Sequence, residues 1–483
     1  MKKQINKTVV SNLFWRLAER FGAQGVTLLV SAILARLLDP EVYGTVAIIT
    51  VITTILQVFL DGGFSMSLIQ KKDADDLDFS SVFYFNVVFG LILYALLFLT
   101  SPLIARFYKM PELTALIRVL GLTLIIFSLK SVQQAYVSRN MLFKKFFFAT
   151  LGGTIGAAVV GIWLAYLGYG VWALVAQHLF NMLVDTIILW FTVKWRPRFA
   201  FSWDRLKGLL SFGWKLLLSS LLDTIYGDIR QLIIGKMYSP SDLAYYNQGK
   251  KYTHAVVTNI NSSINSILLP TMSKAQDDAA IVKGMTRRAI KTSTYIMMPM
   301  MMGIAVCARP LVDLILTAKW LPCVPYMRIF CFTFAFYPIH TANLNAIKAM
   351  GRSDLFLKLE VIKKAYGTVV LVSTMWFGPL IMAYSLLFTS VLSQIVNSWP
   401  NRKLLNYKYG EQLKDMLPQI GLSCLMGGIV YCVNFWGLSD IITLLIQVPL
   451  GILIYIGGSK LFGIDSFEYI LNIAKQYLPK KRV

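Results

Sequence analysis

Histidine, cysteine and carboxylates are all scarce in this 483-residue chain, and each scarcity closes off a class of function. The three histidines, His178, His254 and His340, lie far apart in sequence. The five cysteines, Cys307, Cys323, Cys331, Cys424 and Cys432, are odd in number, and no two form a CxxC pair. Neither a disulfide framework nor a zinc site is supported. No nucleotide-phosphate loop and no nucleophile–base pair stands out, so covalent chemistry is not expected. Asp plus Glu number only 24 against 47 Lys plus Arg. Charged residues of both signs make up 15% of the chain, against about 25% in soluble domains.

The charge that remains is one-sided, with a net of +23. A basic balance usually points to nucleic acid. Here 56% of residues are hydrophobic and the mean hydropathy is +0.61, which a soluble nucleic-acid binder could not tolerate. The composition fits an all-α polytopic membrane protein whose positive charge sits in loops on one face of the bilayer. Lys2, Lys3 and Lys7 precede the first apolar segment without a small-residue cleavage pattern. That start reads as a retained helix and not as a signal peptide.

A span needs about 20 mostly apolar residues. Fourteen candidates lie near 11–38, 42–69, 80–102, 112–137, 146–167, 170–193, 208–236, 243–272, 285–308, 323–349, 355–376, 379–399, 416–435 and 440–461. The first and eighth are weak on hydropathy alone. Alternate loops carry the basic residues, among them Lys71, Arg139, Lys194, Arg205, Lys283, Arg287, Arg352, Lys363, Lys364 and Arg402. The rule that basic loops stay inside then places both termini in the cytoplasm. Phe199–Phe212 and the C-terminal tail, with Phe467, Ile470, Leu471, Ala474 and Leu478 at helical spacing, read as basic amphipathic helices on the cytoplasmic surface.

The first six spans resemble the next six. "LLDPEVYG" (37–44) matches "MYSPSDLA" (237–244), "PLIARFY" (102–108) matches "PLVDLIL" (310–316), and "IRVL" (117–120) matches "MRIF" (327–330). "RNMLFKK" (139–145) matches "RSDLFLK" (352–358), with Arg139 over Arg352, and Gly168 falls over Gly378. Five matches in one order predict two parallel six-helix repeats with a site between them. The expected organisation is an N-terminal lobe over 1–198, a C-terminal lobe over 199–405, extra helices 13 and 14 over 406–462, and a basic amphipathic tail over 463–483.

Ionisable groups at membrane depth are expensive and by default mark a pathway. The first span carries Arg16, Arg20, Gln24, Thr27 and Ser31 on one helix face. The seventh carries Ser220, Asp223, Gly227 and Arg230. The eighth carries the longest stripe, Asn247, Lys250, Lys251, His254, Thr258, Asn261, Ser262 and Asn265, with Val256, Val257, Ile260 and Ile264 opposite. Such a helix is expected to line a wet cavity. Structural readings stand beside these. Glu19 can pair with Arg16, Arg16 and Arg20 can snorkel, and Asp223 and Arg230 can neutralise each other. His254 can be a hydrogen-bonded filler. Asp61, before Gly62-Gly63, can simply terminate a helix; Asp61 and Asp223 are otherwise the possible coupling carboxylates. Arg16, Arg20, Lys130, Arg230, Lys250 and Lys251 outnumber Glu19, Asp223 and Asp228, so the cavity is expected to be net positive. That sign suits a phosphate or pyrophosphate, which Arg forks and Lys point charges both bind.

"LARLLDPEVYGTVAI" (34–48), "FLDGGFSMSLIQKKD" (59–73), "FYFNVVFGL" (83–91), "LPTMSKAQDD" (269–278) and "AKWLPCVPYMRIFC" (318–331) resemble the polysaccharide-transport family of bacterial flippases, the colanic-acid exporter type in particular. That family belongs to the multidrug/oligosaccharidyl-lipid/polysaccharide exporter superfamily. The resemblance runs from about residue 8 to about residue 405. It implies fourteen helices, two six-helix lobes and a cationic central cavity. It also implies an undecaprenyl-pyrophosphate-linked oligosaccharide moved from the inner to the outer leaflet of a bacterial cytoplasmic membrane by alternating access. No bound cofactor is expected, only coupling to an H+ or Na+ gradient or to the membrane potential. Membrane lipids, and the polymerase and chain-length machinery, are the partners it suggests. Lys250-Lys251 departs from the colanic-acid type, so the sugar does not carry over. Two rivals stand: a cation-coupled drug antiporter, which would depend on Asp61, Asp185 or Asp223, and a membrane glycan polymerase or ligase. Against the enzyme, the longest outer loop, Ala308–Pro322, is too short for a catalytic domain.

Overall fold

A computed structural model describes Trp15 and residues 22–477. It is about 87% helical, and the described residues contain no strand. That is what hydrocarbon demands, because a lone helix satisfies its own backbone polar groups. A helix or a pair of helices stands at each of the fourteen expected positions, the first being described only from Gly22. Ten stretches among the described residues are long and apolar enough to cross a membrane. The protein is a multi-pass membrane protein.

Contacts divide the chain into two units, residues 1–244 and 245–483. The first contains α1 (Gly22–Leu37), α2 (Pro40–Asp61), α3 (Phe64–Gln70), α4 (Asp76–Tyr108), α5 (Leu113–Leu120), α6 (Leu122–Arg139), α7 (Phe143–Tyr166), α8 (Val171–Thr192) and α9 (Trp203–Met237). The boundary falls just inside α10 (Pro240–Lys274). The second unit continues with α11 (Ala279–Leu316), α12 (Val324–Ala335), α13 (Tyr337–Ala349), α14 (Ser353–Thr374), α15 (Pro379–Ser398), α16 (Asn401–Leu404), α17 (Tyr409–Cys432), α18 (Asp440–Leu461) and α19 (Asp465–Tyr477).

Local sequence sets the helix ends. Pro40 opens α2, where its missing N–H and fixed φ cost nothing. Asp75 and Asp78 form a reciprocal capping box at the start of α4. Asp278 accepts the N–H groups of Ala280 and Ile281 at the start of α11. Gly62 and Gly63, both left-handed, break α2 from α3. Phe199–Phe212 is not a separate surface helix. From Trp203 it runs unbroken into α9, whose 35 residues reach about 52 Å at 1.5 Å per residue and overshoot the ~30 Å hydrocarbon layer.

The two units repeat one turn in detail. After α6, the N–H groups of Asn140, Met141 and Leu142 donate to the carbonyls of Tyr136, Ser138 and Val137. After α13, those of Met350, Gly351 and Arg352 donate to Ala346, Lys348 and Ile347. Met141 and Gly351 are both left-handed, with φ of 53° and 72°. Superposing the two turns sets Met141 on Gly351 and Arg139 on Ala349, three residues from the sequence match of Arg139 to Arg352.

Several of the basic residues read as loop charges also hold helices together. In the first unit, Lys71 pairs with the buried Asp78 at 2.7 Å, and Arg205 reaches Asp75 at 3.6 Å. Arg139 donates to the carbonyls of Leu68, Lys71 and Lys72. In the second, Arg287 grips Asp415 with two 2.7 Å bonds, and the Tyr407 hydroxyl donates to the same carboxylate at 2.8 Å. Lys291 donates to Asp465 at 2.8 Å and so holds that carboxyl below the usual carboxylate range. This pins α19, whose Phe467 and Ile470 pack against the buried cluster that includes Tyr295, Met426 and Tyr455.

Close backbone approach in the first unit depends on glycine. A Cβ on Gly44 would sit 1.7 Å from the Pro240 carbonyl oxygen, and one on Gly63 2.3 Å from that of Gly213. Gly44→Ala and Gly63→Ala are each expected to cost about 1–3 kcal/mol. In detergent both variants should melt below the parent. Gly284→Ala, with open space in α11, should melt at or above it.

Candidate functional site

The clearest unmet polar group lies on α9. Arg230 is 4% exposed, and its Nε and one Nη have no hydrogen-bond partner in the described structure. It is seven residues from the end of α9, about 10 Å along the axis. The anticipated neutralisation by Asp223 does not occur: Asp223 is exposed, and no ion pair joins the two. Asp228, two residues before Arg230, accepts instead from Gln231 at 2.7 Å.

The stripe on α10 divides into two stretches. Lys250 and Lys251 are half-buried, ten and eleven residues into the helix, and Asn247 lies one turn before them. His254 and Thr258 are exposed one turn apart, with Thr258 Oγ1 3.3 Å from the His254 ring and that ring edge-on to Phe334. Beyond them the polar groups turn to α13. Thr341 donates to Asn261 Oδ1 at 2.6 Å, and Asn345 donates to Asn265 Oδ1 at 2.9 Å. Two amides one turn apart thus form a ladder between helices, the use that polar residues commonly find between membrane helices. The opposite face of α10 packs tightly: Thr253 and Val257 are buried, and a Cβ on Gly249 would sit 2.7 Å from Tyr326.

The remaining expected residues scatter. Gln24 is half-buried on α1. Arg16, Arg20 and Glu19 lie outside the described residues. Asp61 ends α2 and accepts the Ser65 hydroxyl, which ties the two helices flanking the Gly62-Gly63 break. Lys130, expected to line the cavity, is instead ion-paired with Asp185 in the interior of the first unit.

Two features escaped the sequence reading. Lys363 and Lys364, counted among the basic loop residues although the expected span 355–376 contains them, sit midway along α14, where Lys363 pairs with Glu360 at 2.6 Å. An open groove of about 690 Å³ runs past Lys364, Thr368 and Val372. The apolar residues that follow hid this, but the turn at Gly351 marks where the helix begins. The second is a cavity of about 440 Å³ between α11, α17 and α18, lined by Pro299, Gly303, Gly427, Gly451 and Tyr455. Its lining is apolar apart from Gln447, whose Nε2 donates to the Val430 carbonyl at 3.2 Å. Small residues on three helices open it, and no hydropathy pattern reports that.

Chemically, the first unit offers a buried guanidinium; the second offers half-buried ammonium groups, exposed amide and hydroxyl groups, and an apolar cleft. Comparison with known proteins gives this a setting. The family model described as "Polysaccharide biosynthesis protein" matches residues 33–325, well over half of the chain. The chain is 24% identical over 416 residues to the teichuronic acid biosynthesis protein TuaB of Bacillus subtilis, covering 84% of this chain and 85% of that one. It is 22% identical over 363 residues to the lipopolysaccharide biosynthesis protein WzxC of Escherichia coli, covering 74% and 73%. Among solved structures it resembles the lipid II flippase MurJ in an inward closed conformation, with a TM-score of 0.74 at 15% identity over 94% of this chain and 98% of that one. An inward-facing multidrug resistance transporter of the MATE family gives 0.62 at 16% identity, over 81% and 98%.

Water access separates a cavity wall from a lipid-facing helix. In a background without the exposed Cys424 and Cys432, cysteines at His254 and Thr258 are expected to react with a membrane-impermeant maleimide. Cysteines at Thr253 and Val257 should stay unlabelled. Equal protection at all four positions would mean that the stripe faces lipid or protein.

Proposed function

We propose, because the chain belongs to the polysaccharide biosynthesis protein family, that it is a flippase and not an enzyme. Its cargo is an oligosaccharide linked through pyrophosphate to a polyprenol, carried from the inner to the outer leaflet of a bacterial cytoplasmic membrane. In this reading the chain crosses fourteen times, with both termini in the cytoplasm, and the two six-helix halves alternate access to the cargo.

Arg230 carries the proposal. A buried guanidinium with unmet donors costs several kcal/mol, and such a cost persists where a ligand relieves it. A pyrophosphate is a suitable ligand, since a planar fork of donors meets two phosphate oxygens at once. Lys250 and Lys251 supply further positive charge as more mobile point charges. His254, Thr258 and Asn247 suit sugar hydroxyls. The apolar cleft between α11, α17 and α18 gives the polyprenyl tail a surface with almost no polar group to desolvate. A membrane potential negative inside favours outward movement of the anionic head by about 2.3 kcal/mol per charge per 100 mV.

Deleting the gene and extracting lipid-linked oligosaccharides tests the class of cargo. A full-length unit should accumulate on the cytoplasmic face. An unchanged lipid pool together with lost drug tolerance would favour a drug antiporter. Within the flippase reading, Arg230→Ala should lower export at least tenfold, equivalent to about 1.4 kcal/mol or more. Arg230→Lys should recover part of that loss. If Arg230→Ala inserts normally and exports at the parental rate, the pyrophosphate site lies elsewhere.

A further inference from the structure

The cleft between α11, α17 and α18 contains one buried polar atom that the protein leaves unmet. Gln447, on α18, is 1% exposed, and its Nε2 donates to the Val430 carbonyl at 3.2 Å. Its Oε1 has no hydrogen-bond partner in the described structure. Gln447 is seven residues from the start of α18, about 10 Å along the axis. It therefore lies inside a hydrocarbon layer of ~30 Å, where bulk water does not reach an unmet carbonyl.

The rest of the lining supplies no strong donor to meet it. Tyr455, also on α18, has its hydroxyl committed, since it donates to the Tyr295 carbonyl at 2.9 Å. That carbonyl is open because Pro299 lacks the N–H that an unbroken α-helix would offer it. Pro310 removes the helical N–H from the Val306 carbonyl in the same way, and Val306 also lines the cleft. Among the described lining residues the Cys307 thiol is the remaining side-chain donor, and it is a weak one. The cleft is therefore rich in acceptors and poor in donors.

Val306 and Gln447 lie close to one another. A Cβ on Gly427 would sit 3.6 Å from Val306 Cγ2, and Gly427 is one turn before Val430, to which Gln447 is bonded. Elsewhere the walls are residues such as Met300, Gly303, Gly451 and Ile452, which have no polar side-chain group. Two of these glycines leave real space. A Cβ on Gly303 would meet nothing within 4 Å, and one on Gly451 nothing closer than 3.6 Å. An occupant that fits must be apolar along its length and donate one hydrogen bond from one end. A charged donor such as an ammonium does not fit, because the described lining holds no carboxylate to compensate it. The volume of about 440 Å³ lies in the range of small-molecule pockets and suits a single chain.

We propose that this cleft binds a neutral single-chain lipid alcohol, a polyprenol, with its hydroxyl on Gln447 Oε1 and its chain between α11, α17 and α18. The hydroxyl donates to an acceptor that is otherwise unmet, and the chain covers walls that have nothing polar to desolvate. The site for an alcohol does not depend on the exporter reading. Its consequence does rest on that reading: a polyprenol and the polyprenyl tail of the cargo occupy the same surface and exclude one another. The alcohol then acts as a competitor, and export slows where free polyprenol accumulates.

Native mass spectrometry of the full chain in nanodiscs tests the site, with geranylgeraniol and its methyl ether as probes. The two share one chain, and only the alcohol donates. The parent should bind the alcohol about three- to tenfold more tightly, the range that one buried hydrogen bond returns. Gln447→Leu keeps the volume without the acceptor and should bind both alike. Gly303→Leu fills the cleft and should bind neither. Dioleoylglycerol donates through a hydroxyl but carries two chains, and should bind more weakly than geranylgeraniol. Equal binding of alcohol and ether by the parent would mean that only water meets Gln447, and it overturns the proposal. Tighter binding of dioleoylglycerol, or binding that survives in Gly303→Leu, does the same. In liposomes, geranylgeraniol should slow flipping of a lipid-linked oligosaccharide by the parent more than its methyl ether does, and Gln447→Leu should not distinguish the two. Equal slowing of the parent by both overturns the competition. No flipping by the parent, with alcohol binding intact, overturns the exporter reading and the competition while leaving the site standing.

Discussion

A charge moved into hydrocarbon without a partner costs more than most single apolar contacts return, and this one constraint arranges much of the molecule. Three solutions to it are visible. Near the ends of long helices, cations are paired outright, as in Arg287 with Asp415 and Lys71 with Asp78. Inside the first unit, Lys130 is compensated by Asp185. On α9, Arg230 is left with unmet donors. The first two solutions are self-sufficient to different degrees, and the third is not. A site that needs an anion can therefore be recognised by what the protein itself has failed to supply.

The same constraint governs the backbone. Helices satisfy their own carbonyls, so the places where they break are where side chains must help. Arg139 does this at the end of α3, by taking carbonyls that the helix leaves open. In the second unit the same need is met by amides. Asn343, Asn401 and Gln412 are fully buried and bond to one another at 2.8–3.1 Å, locking α13, α16 and α17 together. That cluster fixes α17 against the preceding lobe, and α17 forms one wall of the apolar cleft. A polar network thus positions an apolar surface.

How much of this the sequence disclosed follows from what one-dimensional patterns record. Apolar runs of 20 residues report helices faithfully, so the helix positions and the overall class were legible. Length and breaks were less so. The overshoot of α9 was hidden, because charge near a span end reads as loop whether or not the helix continues through it. Polar stripes were legible as stripes but not as roles. Asn261 and Asn265 share the spacing of His254 and Thr258, yet only the fold shows that the asparagines bond to α13. Lys130 and Asp185 lie 55 residues apart, and no local pattern could join them.

The duplication makes the remaining asymmetry informative. Superposing the turns after α6 and α13 gives points at which the two halves can be compared. Lys130 and His340 occupy one such point, and each reaches across to the helix two places on, one through an ion pair and the other through a hydrogen bond. An ion pair in hydrocarbon is a poor fastener, because removing its charges and filling the space is often neutral or stabilising.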